Sequence, residues 1–202
     1  MPRKPLAQAA ISSFRDAYCD AAYELYQRSG FDAVSMRGIA RQMGCSPMMA
    51  YRYFENKNEV FAALRARLFD RLADKLEAVS TEGGALAYLE ALGTAYAEFA
   101  RGEPQAYRLL YMTHMGQSGD HPETERAQKR TRKVLFLATK VVVAAGELKE
   151  DPSILAHTFW AGIHGLVSLD IAGQLTQGAK FDQLLPALLR NRLPGRPIQN
   201  SV

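Results

Sequence analysis

Apolar residues recur at intervals of three and four along nearly the whole chain, and no stretch alternates apolar and polar residues with a period of two. Only helices gather such spacing onto one face, so the fold class is all-α. Gly, Pro and Asp fall between the periodic segments, where helices stop. The spacing predicts a first helix from about Ile11 to Arg28, with Ile11, Phe14, Tyr18, Ala21 and Leu25 on one stripe and Gly30 as its stop. Two short helices, 36–43 and 47–53, follow a serine each, Ser35 and Ser46, whose hydroxyls suit the free N–H groups of a helix start; Gly44 turns between them. A longer helix opens at Asn56, with Glu59 three residues on, and runs through Phe61, Leu64, Leu68 and Leu72 toward Val79. Beyond the break at Thr81–Gly84, helices are expected near 85–101, 104–114, 122–147, 152–176 and 181–191, with Pro104, Pro122 and Pro152 in first turns. Gly116–His121 is expected to be a mobile loop, and 193–202 a disordered tail.

A chain of 202 residues buries a proper core. Its net charge of +4 and pI near 9.1 permit nucleic-acid binding without demanding it. Cys19 and Cys45 stand in separate segments, without the paired spacing of a zinc or redox motif, and are read as reduced core thiols. No run is read as the roughly 18 continuous apolar residues of a membrane span. The opening ten residues lead into Phe14, Arg15 and Asp16 rather than the apolar core of a signal peptide, so a cytoplasmic protein is expected, with no membrane partner.

Residues 30–61, GFDAVSMRGIARQMGCSPMMAYRYFENKNEVF, place two capped short helices around one glycine turn, ahead of a long helix. That is the arrangement of a helix-turn-helix, in which a short protruding helix enters the major groove, about 12 Å wide, while its neighbours reach phosphates. Arg37, Tyr51, Arg52, Tyr53 and Lys57 supply suitable groups. Gly30-Phe31, Ser35, Ile39-Ala40, Gly44, Ser46, Tyr51, Tyr53-Phe54 and Lys57 together resemble the TetR family over about residues 10–65. The resemblance implies an N-terminal three-helix DNA-binding domain, taken as 10–58, and a C-terminal dimerisation and effector-binding domain, 59–192. It implies a homodimer on a near-palindromic operator, in most members a repressor that a small ligand releases.

Carried over by position, Ser35, Met36, Arg37, Ser46, Pro47, Met48, Met49, Tyr51, Arg52, Tyr53 and Lys57 are the DNA-binding residues. Ile39, Ala40, Cys45, Ala50 and Phe54 are the module's core. Ser35 would cap the second helix and meet a phosphate, and Lys57 would add an ionic clamp. The departure from the family pattern is Pro47-Met48-Met49, where relatives often carry a polar residue, Gly and a small hydroxyl residue. Methionine makes no bidentate hydrogen bond to a base but touches a thymine methyl, so apolar and shape readout is expected, unless one methionine packs inward.

In the C-terminal part, Trp160, His164 and Gly165 resemble the W-x-x-x-H-G signature of one TetR subgroup. Spaced by four, Trp160 and His164 share a helical face and suit either close helix packing or a pocket wall. With them, Tyr96, Phe99, Tyr107, Tyr111, Met112 and Met115 either line a cavity for a small hydrophobic effector or form ordinary core. The apolar runs 134–137 and 141–144, and Gly162, Gly165 and Gly173, suit the helix pair that forms the dimer interface in the family.

An enzyme reading rests on the pairs His114/His121 and His157/His164. It lacks a HExxH motif, a completing cysteine, a phosphate-cradling loop and a nucleophile elbow; no metal, cofactor or catalytic residue is expected. A third reading is a DNA-binding regulator without an effector, or an activator. An apolar cavity of roughly 300 Å³ or more separates the effector-binding reading from the effector-free one.

Overall fold

The computed structural model describes residues 8–113 and 121–191. Met115, His114, the expected loop up to Asp120 and the tail from 193 onward lie outside the described residues. Among the described residues the regular elements are all helices: α1 (Gln8–Ala33), α2 (Met36–Gln42), α3 (Pro47–Ala50), α4 (Lys57–Glu77), α5 (Ala85–Gly102), α6 (Pro104–Tyr111), α7 (Pro122–Ala144), α8 (Pro152–Ile171) and α9 (Phe181–Asn191).

Local chemistry accounts for most boundaries. Gly30, at φ 75° and ψ 171°, breaks the helical path inside α1, so its straight part ends where the glycine stop was expected. The Asn56 side chain accepts from Glu59 N at 3.0 Å, while the Glu59 carboxylate reaches back to Glu55 N rather than to Asn56 N, a capping box displaced by one residue. Asp151 caps α8 through Ser153 N and Ile154 N. Four helices end three or more residues earlier than expected. The expected 47–53 helix is regular only to Ala50, with 51–53 as turns. The 104–114 helix stops at Tyr111, where Thr113 N and its hydroxyl both turn back to Arg108 O. α7 stops at Ala144, and Glu147 N closes onto Val142 O across the left-handed Gly146. α8 stops at Ile171, and Gln174 N closes onto Leu169 O across the left-handed Gly173, so residues to 176 leave the helix.

The chain packs as two compact units that cut across chain order. One holds the chain through Phe69 together with Arg108–Ala127; the other holds Asp70–Tyr107 together with the chain from Gln128 onward. The division thus falls within α4, further along than the 58/59 boundary read from sequence. In the first unit, the early turns of α4 bury Val60, Phe61, Leu64 and Leu68. Arg65 Nη2 donates to Leu110 O at 2.9 Å, and Thr124 Oγ1 to Ala62 O at 2.8 Å, which fastens the ends of α6 and α7 to α4. In the second unit α5, α8 and α9 pack on one another. Gly93 makes the close approach possible: a Cβ there would lie 2.5 Å from Leu189 Cδ2 and 2.9 Å from Ile163 Cδ1. A Cβ at Gly162 would lie 3.2 Å from Leu188 Cδ1, a tight contact and not a clash, while Gly165 faces open space and Gly173 serves as a helix end.

By length and composition α8 is apolar enough to cross a membrane, which corrects the reading that no segment is. Here it buries Leu155, Ala156, Phe159, Ile163 and Val167 in a helical core.

Candidate nucleic-acid interface

The first unit is built to hold α3 outward. Tyr18, Ile39, Ala40, Ala50 and Phe54 form its centre, all at 1% exposure or less, with Cys19 beside them. Burial lifts the Cys19 thiol to about 11 and raises the Tyr18 phenol well above its ordinary value; the Tyr18 hydroxyl donates to Met36 O at 2.8 Å. Cys45, expected in the core, is half-exposed in the turn after the left-handed Gly44. Ala50 inward and Met48 outward are therefore the two faces of one four-residue helix.

Both serines cap. Ser35 Oγ accepts from Gly38 N at 3.1 Å, and Ser46 Oγ from Met49 N at 3.2 Å. Gly38, not singled out from the sequence, leaves room for the first cap, since a Cβ there would sit 3.2 Å from Ser35 Oγ. Around α3, Arg37, Ser46, Pro47, Met48, Met49, Tyr51 and Arg52 are exposed. Arg41 joins them from the last turn of α2, a cation that the family positions did not select but that an exposed site near a helix C-terminus explains.

Three residues selected from sequence face elsewhere. Met36 is 6% exposed, its sulfur 3.9 Å from the Tyr18 hydroxyl, because the first position of α2 points beneath the helix. Tyr53 is half-buried and stacks on Phe14 at 4.3 Å. Lys57 donates to Phe31 O at 3.0 Å with its ammonium 4.1 Å from the Phe31 ring centre, so it ties the kinked end of α1 to the start of α4.

The second unit brings four of the aromatic candidates together. Tyr107 Oη lies 2.5 Å and Tyr96 Oη 3.3 Å from His164 Nδ1, and Trp160 Nε1 donates to Tyr96 Oη at 3.3 Å. Partial burial holds the His164 ring below its ordinary pKa, and its Nδ1 shares hydrogen bonds with the two tyrosine hydroxyls. Burial likewise raises the Tyr107 phenol. Beside this cluster is a cavity of about 30 Å³ walled by Leu76, Leu92, Gly93, Leu135, Phe159 and Ile163 with Tyr96 and Trp160. Phe99 is buried in the same unit but does not line the cavity. Tyr111 and Met112 belong to the first unit, where Tyr111 sets its edge against Phe69 and Met112 is 44% exposed. His157, four residues into an exposed stripe, faces its own helix at Ser153 O. Among the described residues no three His, Cys, Asp or Glu side chains converge as a metal site would need.

Residues 19–64 match the family model described as bacterial regulatory proteins, tetR family, and residues 89–191 match that of the tetracyclin repressor-like C-terminal domain. The chain is 26% identical over 170 residues to the uncharacterized HTH-type transcriptional regulator Rv0681 of Mycobacterium tuberculosis, covering 84% of this chain and 75% of that one. Among solved structures, a protein of unknown function from Rhodococcus sp. RHA1 superposes with a TM-score of 0.80 at 25% identity, over 96% of this chain and 98% of its own. The transcriptional regulator FadR from Bacillus subtilis, solved in complex with stearoyl-CoA, has the same fold, with a TM-score of 0.72 at 18% identity over 90% of this chain and 99% of its own.

Proposed function

The chain belongs to the TetR family of bacterial transcriptional regulators, and from that premise we propose that it is a cytoplasmic repressor that binds a near-palindromic operator as a homodimer and is released by a small hydrophobic effector. The observation that carries the DNA-binding part is the capped, outward α3 with Arg37, Arg41 and Arg52 exposed around it. In the homodimer, two such helices meet successive major grooves about 34–36 Å apart on one face of the duplex. Support for the homodimer is the exposed apolar surface of α7 and α8, where Phe136, Leu137, Val141, Ile154 and Leu169 are 37–55% exposed.

Selection of duplexes from a random pool tests this reading. A near-palindromic site is the expected product, and its affinity falls with salt by a log–log slope of about −0.9 for each phosphate neutralised. Arg37→Ala and Arg52→Ala make that slope shallower. Recovery of no preferred duplex, or a salt-insensitive affinity, overturns it.

The effector reading rests on the Tyr96–Tyr107–Trp160–His164 cluster, of which Tyr96 and Trp160 also wall the apolar cavity. Stearoyl-CoA, held by the FadR relative in fold, belongs in the panel of hydrophobic compounds with which the effector is sought. Thermal stabilisation and operator release by one of them is the expected outcome. A second reading, a regulator that dimerises without any effector, is favoured by the cavity's size, about 30 Å³ against the roughly 300 Å³ of a typical ligand site. Under the first reading the side chains around Trp160 part on binding. Under the second, no compound shifts the melting temperature.

A further inference from the structure

We infer that α3 reads the 5-methyl group of thymine through Met48, so that each operator half-site carries a thymine at the position this side chain reaches. The inference rests on the DNA-binding reading above and supplies its chemistry. The side chain at the front of the module has no hydrogen-bonding group for a base. Met48 is 76% exposed, while Ala50 on the opposite face is fully buried and fixes which way the helix faces. Several of its neighbours are already engaged or offer no donor. Ser46 Oγ is occupied by Met49 N, Pro47 has no N–H, and Lys57 is turned back onto Phe31.

In the major groove the four base pairs differ by donors and acceptors, and among them only thymine adds an apolar group, its methyl. A thioether pressed against a guanine or adenine edge strips water from acceptors that it cannot satisfy, which costs affinity. Against a methyl it buries apolar area on both sides. Met49 at 40% and Tyr51 at 51% exposure extend the same uncharged surface, and exposed Arg37, Arg41 and Arg52 flank it along the chain, with only Glu55 of opposite sign in the stretch 35–57. That rim is complementary to a polyanion, which commits the apolar tip to DNA rather than to a protein groove. Methionine's three flexible torsions let it settle on a methyl without exact geometry, so affinity is gained by contact area rather than by directed bonds.

The test uses the full-length protein and the duplex it selects. Each thymine of one half-site is replaced in turn by deoxyuridine, which removes the methyl and leaves every base-pairing and groove hydrogen-bonding group in place. One such replacement is expected to weaken binding about fourfold, the worth of one buried methyl. With Met48→Ala the same replacement has no effect, whereas Met48→Leu keeps it. Met48 is exposed, so an unchanged melting temperature for Met48→Ala is expected and rules out misfolding as the cause. The inference is overturned, with the DNA-binding reading intact, if no thymine shows the effect or if the effect persists in Met48→Ala. Failure to select any duplex overturns both.

Discussion

At His164 the chain holds a half-buried titratable ring against two tyrosine hydroxyls, and this sets the sign of its effect on stability. The folded ring has a lowered pKa, because desolvation on partial burial disfavours the imidazolium. The unfolded ring titrates near its usual value, about 6.5. Stability is therefore fully present above that value and falls as pH drops below it, when the unfolded chain takes up a proton that the folded one refuses. Thermal melts between pH 7.5 and 5 should show this decline, and His164→Asn should flatten it; equal slopes in both proteins would show that the ring is not buried neutral. Gly93 sits where α5 meets α8 and α9. Replacing it with Ala drives a methyl into Leu189, Ile163 and Phe159, and urea unfolding should show a loss of about 1–3 kcal/mol, the usual cost of overpacking.

Among the elements, α1 and α3 depend most on single residues. Gly30 at φ 75° and ψ 171° occupies a region that other residues enter only under strain, and no atom would touch an added Cβ. Gly30→Ala should therefore cost about 1–3 kcal/mol from the backbone alone. A chemical-denaturation midpoint equal to that of the parent protein would mean that the kink relaxes. The four-residue α3 cannot persist by its own hydrogen bonds and is held by the Ser46 cap, the Pro47 start and buried Ala50. Those features were legible in the sequence because capping acts between residues two or three apart. The helix ends after Tyr111, Ala144 and Ile171 were less legible. Apolar spacing continues past each of them, and the closing bonds are made by left-handed glycines at Gly146 and Gly173 and by Thr113.

Taken whole, the molecule leaves α7 and α8 with apolar side chains in water. A charge placed there opposes association and leaves each chain's core untouched. Leu137→Glu with Val141→Glu, at 48% and 55% exposure, should shift sedimentation from dimer to monomer with little change in melting temperature. In the proposed homodimer, affinity for the selected duplex should then fall by about 100-fold, as two linked α3 helices become two separate ones. A dimer of unchanged strength would place the interface elsewhere.

The all-helical class, both serine caps, the glycine turn and the family resemblance were decided by the sequence itself, since each depends on residues within a few positions of one another. Tertiary structure alone decided which distant residues meet. Tyr96 and His164 stand 68 positions apart yet share a hydrogen bond, while Tyr111 and Met112, only a few positions from Tyr107, pack in the other compact unit. It also turned Lys57 onto Phe31, put Met36 beneath its helix and reduced the cavity beside Trp160 to about 30 Å³. Periodicity says which face of a helix is apolar. What that face packs against, and how tightly, depends on the shapes of side chains that the chain brings together only when it folds.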